Sequence, residues 1–444
     1  MTRSNDQPSQ PSITFEKLTH GGAALGRLKD GRVIFGEDVL PDEAVSGTGS
    51  TWELRKKQWW LTKPEIQTPS PQRTEPTCRH AKVCGGCDWQ HLNEEGQAHW
   101  KQQIVIESLQ RVGKIQKPNV NPTLTKDLLG YRHRVTWQVS TGIKPQVGYF
   151  AKQTNAVVSV VSCPVLSPAL EKTLETLNAA PWVLMGSEKI QAQANQKGDV
   201  LLSITLRESI SLEEARSDWK RWFNEQGTVI GIQLHTPKEE QPFELGTQAL
   251  QDTWSDATLE YGVGHFMQGH PQAFQALIRW IQAQPEVKEA LEEGGTLLDA
   301  YCGVGLLGLN LKPQHQPLIG VESSEDTIHL AKKNAKSNAR RIGQSVQFYA
   351  QRMEQWVKNN PELTPRWAVI DPPRQGLHPA VCNWLSTQVK DTIVYVSCDP
   401  ATLARDIKKL LDAPDSHWQL KRIQPVDLFP QTHHVESVAI LSQT

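Results

Sequence analysis

The rhythm of the chain after residue 259 limits its fold more than any other property. Short apolar runs alternate there with helix-like segments, the pattern of a parallel α/β sheet. In TLLDAYCGVGLLGLNL a strand leads into a Gly-rich turn at Gly303 and Gly305 and then into a helix. The next run, LIGV, ends in Glu322, and Ser324 is placed to cap the helix that follows. WAVI ends in Asp371, followed by two prolines that fix a rigid loop. TIVYVS ends in Cys398, with Asp399 suited to an N-cap and Pro400 to the first helical position. Glu322, Asp371 and Cys398 therefore stand at the carboxyl ends of strands, the edge at which open parallel sheets bind ligands.

Each of these residues also has a bland reading. A lone Cys at a strand end is more often an apolar filler than a nucleophile. A lone Gly-x-Gly carries little weight. The order strand, Gly turn, helix, strand, acid carries more, because it places Glu322 to accept both ribose hydroxyls of a nucleotide-like cofactor. The turn is not G-x-G-x-x-G, which suits S-adenosylmethionine, having no pyrophosphate to cradle, better than a dinucleotide. A helix N-terminus beside Cys398 is expected to lower the thiol's pKa toward thiolate. Asp371 can accept a hydrogen bond from an N–H of a flat substrate. Glu436 precedes the last strand, in VDLFPQTHHVESVAIL. Such a Glu is usually exposed, but beside a nucleophilic Cys it is a natural proton acceptor.

The first half of the chain reads differently. Residues 13–67 alternate in short runs, with turn signals at Gly21-Gly22, Asp30-Gly31 and Pro41-Asp42, the pattern of a small β-barrel. From Glu53 to Lys82 there are seven Lys and Arg against three Glu, with Trp59 and Trp60 among them. That mixture suits single-stranded RNA, and equally a solvated edge over two core tryptophans. Cys78, Cys84 and Cys87 have C-x5-C-x2-C spacing, and Cys163 follows before Pro164. Four thiolates can hold zinc or an iron–sulfur cluster. The single C-x2-C knuckle, the free amides of Gly85-Gly86 and the Cys-Pro pair favour the cluster, with unliganded thiols as a third reading. Residues 93–113 show a helical pattern with Trp100, Ile104, Leu109 and Val112 near one face. Residues 120–258 look mixed and β-rich. Arg132, His133 and Arg134 form a basic cluster that either faces RNA or lies on an exposed strand face.

Length and composition set the outer bounds. A chain of 444 residues is long enough for two to four domains. Its 38% apolar and 21% charged content is that of a soluble globular protein. The net charge of -1 gives no ground for a nucleic-acid partner, which has to be argued from local patches. No apolar run is long enough for a membrane span. The start, MTRSNDQPSQPS, lacks an apolar h-region, so residues 1–12 are expected to be a disordered tail and the chain cytoplasmic. Seven cysteines there should be thiols, ligands or nucleophiles rather than disulfides.

Taken together these residues resemble the RNA 5-methyluridine methyltransferases, in particular the iron–sulfur-containing 23S rRNA uracil-C5 branch with an N-terminal TRAM domain. The resemblance covers nearly the whole chain from residue 13. It is carried by C-x5-C-x2-C with the distant Cys163, and by VSCDPATLARD, DPPRQGL and FPQTHHVES. It implies a multidomain chain: an OB-like TRAM barrel over 13–67, a mixed β-rich central domain over 68–258, and a Rossmann-like class I methyltransferase domain over 259–444. It implies a 4Fe–4S cluster on Cys78, Cys84, Cys87 and Cys163, Cys398 as nucleophile and Glu436 as base. Asp299, Gly303, Gly305, Glu322 and Asp371 would line the cofactor or base pocket. Gln268, in HFMQGHPQAF, falls on the family's F-x-Q cofactor segment, and Phe266 is a candidate for packing on the target base. The implied reaction is methyl transfer from S-adenosylmethionine to uracil C5 through a Cys398–C6 adduct. RNA is the partner, 23S rRNA before tRNA, and the protein is expected to act as a monomer.

The sequence departs from the family pattern at three places. His270 stands where Asn is usual, Asp399 makes S-C-D-P of S-C-N-P, and Gln351 and Arg352 replace the usual adenine-end residues. Competing classes fit less well. A cytosine-C5 enzyme needs a Cys in the DPPR loop, and a radical methylthiotransferase needs C-x3-C-x2-C. A non-catalytic RNA-binding factor does not need an intact Cys398 and Glu436.

Overall fold

The computed structural model describes residues 7, 8 and 12–443. The tail expected over residues 1–12 falls mostly on residues 1–6 and 9–11, which lie outside the described residues.

The first sheet has seven strands, β1 (Ile13–Leu18), β2 (Ala24–Arg27), β3 (Val33–Gly36), β4 (Ala44–Val45), β5 (Thr51–Arg55), β6 (Gln58–Lys63) and β7 (Ile66–Thr68). Its order is β5-β6-β3-β2-β1-β4-β7, antiparallel except for β3 against β6. The period-2 pattern has the expected result, with Ile13, Phe15 and Leu18 of β1 buried. The long helix α1 (Glu94–Arg111) follows, its N-cap Asn93 accepting from the Gly96 amide.

The second sheet contains β8 (Arg134–Val139), β9 (Val147–Phe150), β10 (Val157–Ser159), β11 (Ser187–Ala194), β12 (Val200–Leu206), β13 (Val229–His235) and β14 (Phe243–Gly246). Helices α2 (Pro168–Ala179) and α3 (Leu212–Asn224) bury Leu170, Leu174, Trp219 and Trp222 in its core. A capping box between Ser211 and Glu214 starts α3.

The third body opens with the hairpin β15 (Leu250–Trp254) and β16 (Ala257–Tyr261), then α4 (Pro271–Ala283) and α5 (Pro285–Glu293). The α/β alternation follows: β17 (Leu297–Ala300), α6 (Leu306–Leu311), β18 (Leu318–Glu322), α7 (Glu325–Ser337), α8 (Ala339–Ile342), β19 (Val346–Ala350) and α9 (Met353–Asn359). It continues through β20 (Trp367–Ile370), α10 (Pro379–Gln388), β21 (Thr392–Ser397), α11 (Pro400–Leu411), β22 (Trp418–Val426) and β23 (Glu436–Gln443). The sheet order is β19-β18-β17-β20-β21-β23-β22, with β23 antiparallel to both neighbours. Every residue of β17, β20 and β21 is buried, as expected of parallel strands covered on both faces. The strand order reverses between β17 and β20, so a ligand crevice belongs beyond their carboxyl ends.

The packing departs from the sequence-based division in two ways. A limit between residues 258 and 259 would cut β16, whose Leu259 and Tyr261 share a core with α4 and the third sheet. The hairpin therefore packs with the third body. Helix α1, expected in the central part, packs on α11, and its Ile104, Val105 and Leu109 join the core on that face. Val120 and Leu124 bridge to Ile423 and Val426 of β22. Val112, expected on the buried face of α1, is 40% exposed because it lies past the helix end. Among the described residues no helix is long and apolar enough to cross a membrane.

Candidate active site and cysteine site

The pairing of β21 with β23 brings the two expected catalytic residues together. Ser397 pairs with Ser437, so the next rung sets Cys398 opposite Glu436. Side chains facing across such a ladder have Cβ atoms about 4.5–5.5 Å apart. Both residues line one cleft of about 940 Å³. Phe266, Gln268, Gly303, Glu322 and Asp371 line it too. The cleft thus gathers most of the residues singled out in the sequence.

Asp299 and Gly305 do not border the cleft; they build the turn beneath it. The Asp299 carboxylate is buried and accepts from the Gly308 amide at 2.8 Å. A Cβ on Gly308 would stand 2.5 Å from that carboxylate, so α6 can sit this close to β17 only because residue 308 is glycine. Burial pushes the Asp299 carboxyl up to about 8. Gly305 enters α6 at φ +89, where an L side chain is strained.

The expected lowering of the Cys398 thiol is not found. Burial pushes it up to about 11, and the nearby carboxylates of Glu436 and Asp371 push in the same direction, while Arg374 opposes them. The helix end does not compensate, because its amides are already taken. Asp399 accepts from Ala401 N at 3.0 Å and Thr402 N at 2.8 Å. His20 Nε2 meets the other Asp399 oxygen at 3.1 Å, and this contact first, then the amides, holds Asp399 down at about 2.

The carboxylates of the cleft are displaced upward. Glu436 is 3% exposed rather than solvated, and its Oε1 has no hydrogen-bond partner. Burial, then the charge of Asp371, raises it well above the ordinary value. Burial raises Asp371 to about 7. Glu322 Oε1 accepts from Ser323 N at 2.6 Å and Ser324 N at 3.1 Å, so one oxygen is committed to its own turn. Gln351 and Arg352 line the same cleft as Glu322. His270 does not: it is buried and stacks on Tyr131, with ring centroids 4.7 Å apart.

Arg374, His434 and Tyr301 are among the cleft residues that were not singled out in the sequence. Arg374 lies inside DPPRQGL and His434 inside FPQTHHVES, so the motifs held them. Burial and the neighbouring His433 and Arg374 push His434 down to about 4. Tyr301, at φ +63 beyond β17, carried no signal.

A groove of about 590 Å³ continues from the cleft and shares Phe266, Gln268, Phe429 and His434 with it. Arg132, Arg134 and Asp88 line its far part. The guanidinium of Arg134 lies 5.2 Å from the ring centre of Phe266, which is 63% exposed. Arg132, His133 and Arg134 are half-buried, not spread on an open strand face. Burial pushes His133 down to about 4, leaving it neutral near pH 7. Of the seven cations between Glu53 and Lys82, Arg55 pairs with Glu37 and Glu53, and Arg73 with the buried Glu43. Lys56, Lys57, Lys63, Arg79 and Lys82 remain exposed. Trp59 packs on the core, and Trp60 stacks on Phe35 at 4.8 Å.

Cys78, Cys84, Cys87 and Cys163 line one small cavity beside the groove, together with Arg132 and Tyr149. Burial pushes Cys87 up to about 12 and Cys163 to about 11. The Gly86 amide donates to Cys84 Sγ at 3.4 Å, and Tyr149 Oη to Cys163 Sγ at 3.7 Å. Among the described residues no three His, Cys, Asp or Glu side chains are gathered tightly enough to hold a single metal ion.

A family model described as tRNA (uracil-5-)-methyltransferase matches residues 246–444. An uncharacterized RNA methyltransferase of Nostoc is 30% identical over 452 residues, covering 97% of this chain and 95% of that protein. The 23S rRNA (uracil(1939)-C(5))-methyltransferase of Vibrio cholerae is 31% identical over 445 residues, covering 98% and 96%. The crystal structure of Pyrococcus abyssi tRNA (uracil-54, C5)-methyltransferase with S-adenosyl-L-homocysteine superposes with a TM-score of 0.75. It is 23% identical and covers 98% of this chain and 100% of that one, a likeness of fold.

Proposed function

Because the chain belongs to the RNA uracil-C5 methyltransferase family, we propose that Cys398 and Glu436 carry out its reaction as nucleophile and base. The enzyme transfers a methyl group from S-adenosylmethionine to uracil C5 in RNA. One observation carries the assignment of roles: the β21–β23 register sets Cys398 opposite Glu436 in the cleft that also holds Asp371 and Glu322.

The chemistry requires both groups. Uracil C5 is too weak a nucleophile to attack a sulfonium methyl unaided. The Cys398 thiol gives its proton to solvent, and addition of the thiolate Sγ to C6 moves the C5=C6 electron pair toward C5 and O4 and makes C5 nucleophilic. When bound, S-adenosylmethionine would supply the methyl group. Glu436 takes the C5 proton, the C5=C6 bond re-forms, and the Sγ–C6 bond breaks to release 5-methyluridine. Asp371 accepts from the uracil edge. A carboxylate at about 7 is poised to exchange protons near neutral pH, and a raised Glu436 is a stronger base than an ordinary glutamate. Phe266 packs on the extruded base, and Arg134 backs its ring. Gln268, Gly303 and Glu322 hold the cofactor, Glu322 through the carboxylate oxygen not used by its own turn.

The four thiols of the cysteine site fit a 4Fe–4S cluster better than zinc. Zinc in structural sites more often uses two C-x2-C knuckles, whereas a cluster takes each thiolate on a different iron, and the four Cys here line one cavity. The cluster would order the segment it joins, since no step above moves an electron. The barrel over 13–67 is read as the TRAM module, its exposed Lys56, Lys57 and Lys63 tracking phosphates. The central domain runs from 68, and the methyltransferase domain is taken from the β15–β16 hairpin. The relatives named for 23S rRNA match at full length and favour that substrate, with tRNA as the second reading. We read the enzyme as a monomer acting in the cytoplasm.

The test is direct. Anaerobically purified protein and Cys398→Ala are incubated with methyl-labelled S-adenosylmethionine and unmodified total RNA, which is then size-separated and digested. Labelled 5-methyluridine from the wild type alone, in the large-rRNA fraction, is the expected result. Label in tRNA changes the substrate, and label in 5-methylcytidine overturns the base assignment.

A further inference from the structure

Glu436 begins a strand, but the segment that delivers it, Asp427 to Val435, is held from outside the catalytic sheet. Its outward hydrogen bonds run to residues 88–131. The buried Lys101 pairs with Asp427 and donates to Phe429 O at 3.1 Å. Tyr131 Oη donates to Pro430 O at 3.0 Å, and Gln431 N donates to Gln97 Oε1 at 2.8 Å. The backbone amides of Asp88 and Trp89 donate to Gln431 O at 3.1 and 2.9 Å. Asp88 Oδ1 accepts from the His433 amide at 3.0 Å, and its other oxygen pairs with His433 Nδ1. Gln431 sits at φ +69, a conformation that an L residue keeps only when its surroundings enforce it.

From this geometry we infer that the Asp88–His433 pair is a positioning device for Glu436 and acts on the release half of the reaction. The inference rests on the catalytic reading above. Asp88 follows Cys87 directly, so the segment after the cysteine site splints the segment before the base. Cys398 is placed separately, by β21 and α11. Loss of the splint therefore leaves addition to C6 and methyl transfer intact. It slows removal of the C5 proton to Glu436, the step whose electron pair re-forms C5=C6 and expels Cys398 Sγ. The signature is a methylated RNA–protein adduct that persists.

Asp88→Ala and His433→Ala are compared with wild type and Glu436→Gln on one labelled RNA under denaturing electrophoresis. Iron content and S-adenosylmethionine affinity are measured alongside. The steady-state adduct should rise by at least about tenfold over wild type in both alanine variants. Cofactor affinity and iron should stay unchanged, and Asp88→Asn, which keeps an acceptor for the His433 amide, should recover most of the turnover. A uniform fall in all steps without adduct, or no fall, would overturn the inference. If Asp88→Ala loses iron, His433→Ala decides alone by the same readout. Wild-type protein that makes no 5-methyluridine would instead sink the catalytic reading.

Discussion

Two of the molecule's thiol environments, that of Cys398 and that of the four cavity cysteines, resemble each other in only one respect. Burial raises Cys398 to about 11 and Cys87 to about 12. The surroundings then diverge. Around Cys398 the charges are the carboxylates Glu436 and Asp371, with Arg374 as the opposing cation. Around the four cavity thiols they are other thiols, Tyr149, Arg132 and Lys152, and the carboxylate Glu171 lies beside Cys163, accepting from its backbone amide at 2.9 Å. Arg132 feels Cys87 and Cys163, and no carboxylate is among its leading influences. A nucleophile that must be released needs proton acceptors beside it. Thiols that stay bound need a positive centre and a cation to balance the remaining charge. On the proposed reading, one residue type serves opposite ends, and the neighbours set which.

The sharpest way to break this comparison is to remove each thiol in turn. Cys398→Ala should lower methyl transfer by more than about 10³-fold, with iron content unchanged. Cys163→Ser should do the reverse at first instance, losing iron while S-adenosylmethionine still binds by calorimetry. Equal effects on both readouts would show that the two sites are one. The pH profile comes next. Asp371, raised to about 7, must be ionised to accept from the uracil edge, and Cys398 and Glu436 are also raised, so kcat/KM should fall by at least about tenfold per unit below pH 7. A profile already flat at pH 5.5 would contradict the raised carboxylates.

The same displacement has a stability cost of defined sign. A carboxyl raised on folding binds more protons in the native state. Its favourable contribution is full below the unfolded pKa and is lost as pH rises through about 7. Asp371→Asn should therefore raise Tm by a few degrees at pH 8 and hardly at pH 4, while abolishing turnover. The smallest effect is expected at the helix start. Asp399→Ala removes an N-cap and should cost about 1 kcal/mol by denaturant titration.

Much of the catalytic edge was legible because its residues end strands. Glu322, Asp371 and Cys398 are punctuation after apolar runs, and the sheet order places such positions together. Asp299 misled because it points from a strand just as a binding residue would, yet its partner is an amide nine residues on. The Cys398 pKa misled because the expected N-cap, Asp399, takes the amides of the helix start, and burial beside Glu436 and Asp371 raises the thiol. The docking of α1 on α11, and the hold on Asp427 to Val435, depend on pairs such as Asp88 and His433, 345 residues apart. No local period or spacing reports such pairs.

That separation also orders events in time. A ribosome adding about 5–20 residues per second needs roughly 17–70 s to go from Asp88 to His433. Throughout that interval the nascent chain carries Cys78, Cys84 and Cys87 but not Glu436 or the segment that Asp88 holds. The hold of Asp88 on the His433 segment therefore cannot form until residue 433 has been made, long after the barrel over 13–67 is complete.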